Sequence, residues 1–357
     1  MLSLEKLSPA ELSKNHSYKN HVDVIEFEDK ECGLSGFVAI HNETLGAAVG
    51  GTRVFPYSSK EAALTDVLRL SEAMTYKCAV AGVHQGGGKA VIIGDPKTVK
   101  TSALLKSYAE AIGSLKGRFY TGEDVGLAEA DVQYMLKFVP YFIGKSDQAG
   151  DPSEYASLSV YTVMQEAVKK VFKKKTLKGV KVGVKGLGKV GYGLVKLLAN
   201  VGAVVVGADI DPAACDRVRR EYPDVKIVSP ETILCEKIDV YAPCAMGNEF
   251  TETTVKALSS PRIICGGANN QLSCASVADE LQKKGILYMP DYLANAGGLI
   301  DVADELEKGG FNKGRVYERI EMLRTTFNTL FKSATTTGTT LSTATNAFAE
   351  GEFGLGD

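Results

Sequence analysis

KVGVKGLGKVGYGLVKLLANVGAVVVGAD, residues 181–209, is the stretch whose reading decides the fold. A short apolar run, KVGVK, ends at Gly186-Leu187-Gly188-Lys189-Val190-Gly191, which has G-x-G-x-x-G spacing. A helical pattern opens on those glycines and is followed by a second apolar run, AVVVGAD. In a strand–turn–helix the first glycine permits a tight turn. The second lets a pyrophosphate approach the backbone, and the third lets helix and strand pack closely. The helix N-terminus then faces the phosphates. Asp209 ends the second run, 23 positions beyond Gly186, where an acid bonds the adenosine ribose hydroxyls. A carboxylate there repels a 2′-phosphate, so the expected coenzyme is NAD rather than NADP. A plain packing turn between strand and helix would not require that terminal acid.

The alternation continues outward. Further strands are expected at VKIVS, IDVYAPCA, RIICGGAN and GILYMPDY, alternating with helices, which is the pattern of a parallel doubly wound sheet. The rhythm changes at Gly150-Asp151-Pro152. Before it, HVDVIEFED and LSGFVAIHN read as a hairpin, and SSKEAALTDVLRLSEAMTYKCAVAG reads as a helix with a capping box at Ser58 and Glu61. The strand AVIIGDP, the helix SALLKSYAEAIGSL and the strand and loop GRFYTGEDVG follow. GRVYERIEMLRTTFNTLFKSA is a long helix, read as the path back to the first domain. The fold class is therefore α/β with two domains. An N-terminal α/β substrate and oligomerisation domain spans 1–148 and is completed by 333–357. A Rossmann, doubly wound dinucleotide-binding domain spans 149–332.

Composition narrows the function classes. The chain has 357 residues, 45% hydrophobic and 24% charged, long enough for two cores. Lys plus Arg is 41 against 43 Asp plus Glu, so no basic excess favours nucleic acid or an anionic membrane. No apolar run approaches the ~18 residues of a membrane span. The first twenty residues are polar and broken by Pro9, unlike a signal peptide. Seven scattered cysteines without a CxxC pair, and four histidines without ligand spacing, read as reduced buried thiols in a cytoplasmic protein with no metal site.

Three stretches carry candidate chemistry. Ala63, Val67, Leu70, Met74, Lys77 and Ala81 recur at helical spacing, so Lys77 falls in an apolar stripe. There it needs a carboxylate or an anionic ligand, or else snorkels to solvent. Gly86-Gly87-Gly88-Lys89 removes side chains from one stretch of backbone, a reading in which a ligand approaches and Lys89 points into the vacated space. The alternative is a surface turn with a solvated lysine. Thr121-Gly122-Glu123-Asp124-Val125-Gly126 closes a strand; Asp124 is either a carboxylate bearing on the two lysines or an ordinary Asx-turn residue.

Gly50-Gly51-Thr52-Arg53, Met74-Thr75-Tyr76-Lys77, Gly86-Gly87-Gly88-Lys89, Glu123-Asp124-Val125-Gly126, Ala242-Pro243-Cys244-Ala245, Ala268-Asn269-Asn270-Gln271-Leu272 and Asn295-Ala296-Gly297-Gly298 occur in one order. Together they resemble the glutamate/leucine/phenylalanine/valine dehydrogenase family, most closely its leucine and phenylalanine branch. The resemblance implies reversible NAD-dependent deamination of an L-amino acid to a 2-oxo acid and ammonium, by a homo-oligomer. It implies that Lys77, with Gly50 and Gly51, binds the substrate carboxylate, that Lys89 is the general base activating water, and that Asp124 assists proton transfer. Asn270 would contact the substrate amino group or the nicotinamide region. Gly186, Gly188, Val190, Gly191, Asp209, Ile210, Cys244, Ala245 and Asn295 would hold the coenzyme. A base with a pKa near working pH suits this role, and the coenzyme supplies the redox chemistry.

By motif position Val49, Gly122, Leu299 and Val302 line the side-chain pocket. Gly122 with Leu299 matches the phenylalanine-type pattern, so an aromatic substrate is expected before a branched aliphatic one. Ala156 stands where the family has Thr, Ser159 where it has Gly, Asp301 where Asn is common, and Gly267 where Ala is common. His84 and Gln85 replace apolar residues. A different Rossmann oxidoreductase would not need the two lysines and the late Asn pair, whereas a catalytically silent NAD-binding relative would carry such departures.

Overall fold

Asp23–Asp29 (β2) and Leu34–Asn42 (β3) form the expected antiparallel hairpin, with Asp29 opposite Leu34 and Asp23 opposite Ile40. Gly33, at φ +75°, makes the turn between them. The computed structural model describes residues 1–144, 150–258 and 260–354. Its contacts divide the chain into two units, Met1–Gly150 with Val302–Asn312 and Ala349–Asp357, and Asp151–Asp301 with Lys313–Phe348.

The first unit is built on a six-stranded mixed sheet. Ser3–Lys6 (β1), Ala48–Phe55 (β4), Gly86–Ile93 (β5) and Phe119–Gly122 (β6) join the hairpin in the order β1-β2-β3-β5-β4-β6. β1 and β4 were not legible as strands, because Ser3–Lys6 is exposed on all its residues and Ala48–Phe55 is interrupted by two glycines. Strand alternation splits the core. Phe27, Val38, Ile40, Ala90 and Ile92 pack with Tyr108 of the helix Ser102–Ser114. Val24, Phe37, Ala39 and Val91 pack instead with Ala63, Val67 and Leu68 of the helix Lys60–Ala81. Each buried Val, Leu, Ile or Phe among them contributes ~1.5–3 kcal/mol.

Two details depart from expectation. Ser59, not Ser58, caps the helix Lys60–Ala81, accepting the Ala62 N–H. Met74 and Lys77 are half-buried, so the buried stripe continues through Thr75 and Cys78 rather than through Lys77.

The second unit holds six parallel strands: Lys181–Lys185 (β7), Val204–Ala208 (β8), Lys226–Ile227 (β9), Val240–Pro243 (β10), Ile263–Ile264 (β11) and Leu287–Tyr288 (β12). Their order is β12-β11-β10-β7-β8-β9, the doubly wound arrangement, with its switch point between β7 and β10. The whole helix Lys313–Thr337 and the chain on to Phe348 belong to this unit, and only Ala349–Asp357, not the whole of 333–357, returns to the first. The buried stripe of the helix includes Val316, Ile320, Leu323 and Phe327. The Arg324 guanidinium donates to Gln165 Oε1 at 2.7 Å on the helix Pro152–Phe172. The long helix is thus held by apolar burial and by a polar contact that periodicity alone does not assign. Two of the seven cysteines, Cys235 and Cys274, are exposed rather than buried. Among the described residues no helix is long and apolar enough to cross a membrane.

His21 and His41 are buried in the first unit, their rings edge to face at 4.8 Å. His21 Nε2 meets the Leu68 carbonyl at 3.0 Å, and His41 Nδ1 meets Thr75 Oγ1 at 2.8 Å. Burial pushes both imidazoles down to about 4 from 6.5. Below pH 6.5 the unfolded chain therefore takes up protons that the folded chain refuses, so stability present above pH 6.5 is lost as pH falls towards 4. The loss should be on the order of a few kcal/mol. Urea unfolding midpoints at pH 7.5, 6 and 5 check this. They should fall with acid, and His21→Gln should flatten the fall; a constant midpoint would contradict it.

Candidate active site

The glycines on β4 and at the start of β5 face protein. A Cβ on Gly87 would lie 2.1 Å from the Thr75 nitrogen of the helix Lys60–Ala81, and one on Gly86 would lie 2.1 Å from the Asn42 carbonyl oxygen. On β4, a Cβ at Gly50 would lie 1.9 Å from the Gly88 oxygen, and one at Gly51 would lie 2.9 Å from Asp124 Cβ. The run Gly86-Gly87-Gly88 therefore does not vacate room for a ligand. It lets two strands and a helix close to backbone distance, and it is strand from Gly86 onward. What the close packing delivers is Lys89.

Lys89 is buried, and its Nζ lies 2.5 Å from Asp124 Oδ2. Asp124 follows β6 in a turn closed by the Leu127 N–H on the Asp124 carbonyl, so it is both a turn residue and a charged partner. Burial works to raise its carboxyl, but the Lys89 ammonium and the Arg53 guanidinium outweigh burial and hold it below the ordinary carboxylate value. Arg53 Nε lies 3.6 Å from Asp124 Oδ2, and its Nη1 donates to Asp66 Oδ2 at 2.9 Å. The Tyr57 hydroxyl donates to the same Asp66 oxygen at 2.7 Å. Arg53 was missed as a site residue, although an arginine next to two glycines in a strand was a signal. The half-buried Met74 has its Cγ 3.3 Å from where a Gly50 Cβ would stand. Lys77, one turn on, shares that face of the helix.

Gly51 pairs with Gly122 across β4 and β6, and Val49, paired with Gly87 and Tyr120, is fully buried. A Cβ on Gly122 would meet the Ile143 carbonyl oxygen at 2.7 Å. The space beside Gly122 is filled by protein backbone, so the missing methyl adds no depth for a substrate ring. Leu299 and Val302 lie three residues apart on the helix Gly297–Asp304; Leu299 is buried and Val302 half-buried.

In the second unit the dinucleotide glycines divide by role. Gly186, at φ +97°, would place a Cβ 2.6 Å from the Ala245 nitrogen and the Cys244 carbonyl carbon, and Gly191 would place one 1.8 Å from the Gly186 oxygen. These two fit the turn to β10 and the helix to the strand. Gly188 alone has open space around its missing Cβ, and it caps the helix Lys189–Asn200 without any side-chain hydrogen bond. A helix N-terminus left open in this way suits a phosphate. Beside it lies a pocket of about 330 Å³ lined in part by Gly186, Asp209, Ile210, Ala245, Met246 and Glu249. Ile210 and Met246 are 87% and 82% exposed, apolar side chains left available for a planar base. Met246, Lys185 and Glu249 were missed; Lys185 Nζ lies 2.7 Å from Glu249 Oε1 at this pocket.

Asn270 stands at φ +51°, its N–H donating to Asp291 Oδ2 at 2.8 Å. Asn295 is 4% exposed and donates its amide to Gly267 O and Asn269 Oδ1, so it holds the loop that carries Asn270. Cys244 Sγ accepts the Gly267 N–H at 3.4 Å. Val190 Cγ1 lies 2.5 Å from where a Gly267 Cβ would stand, which explains glycine there. Ser159 Oγ accepts the Gly297 N–H at 2.9 Å, so that departure closes a helix start. Ala156 Cβ lies 3.7 Å from where a Gly298 Cβ would stand and brings no hydroxyl to it. Asp301 and Gln85 are buried, whereas His84 is exposed, 3.3 Å from Glu307.

The first unit thus carries a buried lysine–carboxylate pair, and the second has a sheet and glycine loop fitted to a dinucleotide. This is the equipment of a coenzyme-dependent oxidoreductase. Residues 16–141 match the family described as Glu/Leu/Phe/Val dehydrogenase, dimerisation domain, and residues 213–352 match Glutamate/Leucine/Phenylalanine/Valine dehydrogenase. The chain is 39% identical to a valine dehydrogenase of Streptomyces virginiae, over 92% of this chain and 93% of that one. It is 41% identical to a phenylalanine dehydrogenase of Caldalkalibacillus thermarum, over 92% and 90%. The crystal structure of L-tryptophan dehydrogenase from Nostoc punctiforme superposes with a TM-score of 0.83 at 37% identity, covering 93% of this chain and 96% of that chain. The chain belongs to the Glu/Leu/Phe/Val dehydrogenase family. It is an amino-acid dehydrogenase, acting on CH–NH2 by NAD(P)-dependent oxidative deamination.

Gly122→Ala should destabilise the first unit by ~1–3 kcal/mol through overpacking, and should not act as a specificity switch. Thermal unfolding checks it. An unchanged melting temperature with selective loss of aromatic substrates would put the methyl in the substrate pocket after all.

Proposed function

We propose that the protein oxidises a hydrophobic L-amino acid with NAD: the amino acid, NAD+ and water give the 2-oxo acid, ammonium, NADH and a proton. The observation that carries this reading is the buried Lys89–Asp124 pair at 2.5 Å. A lysine held against a carboxylate away from bulk water can exchange a proton with a bound water, and Asp124 offers that proton an acceptor. Lys89 is the general base that activates water against the imine carbon of the substrate, and Asp124 assists. Lys77 binds the substrate carboxylate beside the Gly50–Gly51 backbone. Asn270 contacts the amino group or the nicotinamide region.

Val49, Leu299 and Val302 are assigned to the side-chain pocket. All are apolar, so a glutamate side chain would be buried without a cation. Gly122 adds no depth for a ring, and relatives named for valine, phenylalanine and tryptophan match about equally. Hydrophobic is therefore the class proposed.

For the coenzyme, the open Gly188 turn would receive the pyrophosphate, Asp209 the adenosine ribose, and Ile210 with Met246 the adenine. When bound, NAD supplies the hydride acceptor. Asp209 supports NAD over NADP, because its carboxylate accepts hydroxyl donors and repels phosphate. The match of residues 16–141 to a dimerisation domain supports a homo-oligomer.

Lys89→Ala should lower kcat by ~10²–10⁴-fold, the range of a lost general base. NADH binding should persist, since the coenzyme residues lie in the other unit. Steady-state kinetics with NADH titration decides; most of the wild-type kcat remaining would remove Lys89 from the role. On wild type, kcat/KM for leucine, valine, phenylalanine and tryptophan should each exceed that for glutamate, and NAD should be preferred to NADP. Equal or better use of glutamate would contradict the apolar pocket.

A further inference from the structure

Leu187, between the first two glycines of the dinucleotide loop, is fully buried, and both its backbone polar groups are held from outside the loop. Its N–H donates to Asp209 Oδ2 at 2.5 Å. Its carbonyl accepts from Arg217 Nη2 at 2.8 Å, from the helix Pro212–Glu221. The Arg217 guanidinium carbon sits 4.0 Å over the ring of Tyr192, on the dinucleotide helix itself. The Tyr192 hydroxyl in turn donates to Glu221, one turn beyond Arg217. Arg217 Nε is buried without a hydrogen-bond partner among the described residues. An arginine fixed by a stack on one face and one carbonyl at its end is restrained in direction, so the carbonyl it holds is restrained too.

The consequence falls on Asp209. Its Oδ1 accepts the Asp211 N–H at 2.8 Å and its Oδ2 the Leu187 N–H, so each oxygen keeps a lone pair for a further donor. If the Leu187 backbone rotated, Oδ2 would lose its donor and the carboxylate could swing. We propose that Arg217 is a positioning residue for the coenzyme: by holding the Leu187 carbonyl it keeps the Leu187 N–H on Asp209 and the carboxylate turned towards the adenosine ribose, and so sets the discrimination between NAD and NADP. This rests on the assignment of Asp209 to the ribose made above.

The test is direct titration of NADH and NADPH against the full chain, with wild type, Arg217→Met, Arg217→Lys and Asp209→Asn. Arg217→Met keeps an apolar stem over Tyr192 and removes the donor. It should weaken NADH about tenfold, the size of one charge-assisted hydrogen bond, and should narrow the NADH-to-NADPH affinity ratio. Arg217→Lys, which keeps the charge without the fork, should recover only part of the ratio, and it carries the test alone if Arg217→Met does not fold. A merely structural arginine would lower the melting temperature and weaken both coenzymes by one factor. That result, or unchanged affinities, overturns the proposal. Asp209→Asn separates the two layers. If it leaves the ratio unchanged, the ribose assignment fails; if it shifts the ratio while neither arginine variant does, only the role of Arg217 fails.

Discussion

The approach of main chain to main chain around β4 and β5 governs the first unit. Gly50 lies against the Gly88 carbonyl, Gly87 against the Thr75 backbone and Gly86 against the Asn42 carbonyl, each at a distance no Cβ could occupy. Glycine costs conformational entropy in a strand. Its return here is that helix Lys60–Ala81, β4 and β5 close to backbone contact, and β5 carries Lys89 to Asp124. Burial of Val67, Leu68 and Val91 on one face of the sheet and of Tyr108 and Phe119 on the other keeps that contact closed.

Charge alternates along the site that this packing creates: Lys89, Asp124, Arg53, Asp66. A buried ion is costly unless paired, and removing one partner of a buried pair costs more than the pair contributes. The chain meets that constraint by continuing the series outward to the half-exposed Arg69, which reaches Asp66 at 2.9 Å. Asp124 is thus held charged by two cations, Lys89 and Arg53.

The second unit uses glycine in two opposite ways within six residues. At Gly186 and Gly191 the absent side chain makes room for protein, and at Gly188 it leaves room for a ligand. The open turn can stay open because other groups hold it: Asp209 and Arg217 on Leu187, and Asn295 and Cys244 on the loop from Gly267 to Asn270. Ser159 caps the start of a helix, and Gly267 yields to Val190.

The sequence by itself determined the parallel sheet, the dinucleotide turn, the hairpin and the family, because each is written in local spacing: strand, glycines, helix, terminal acid, and motifs in fixed order. Lys89 and Asp124 were also legible as candidates, with Asp124 bearing on the lysines or else an Asx-turn residue. Only the tertiary structure decided what the glycines are for. A glycine run reads the same whether the vacated space holds a ligand or another backbone, and at Gly122 the neighbour is the Ile143 carbonyl. It likewise brought Arg53 to Asp124 and Arg217 to the Leu187 carbonyl. Those contacts join residues far apart in the chain, and long-range partners leave no period or spacing in a single sequence.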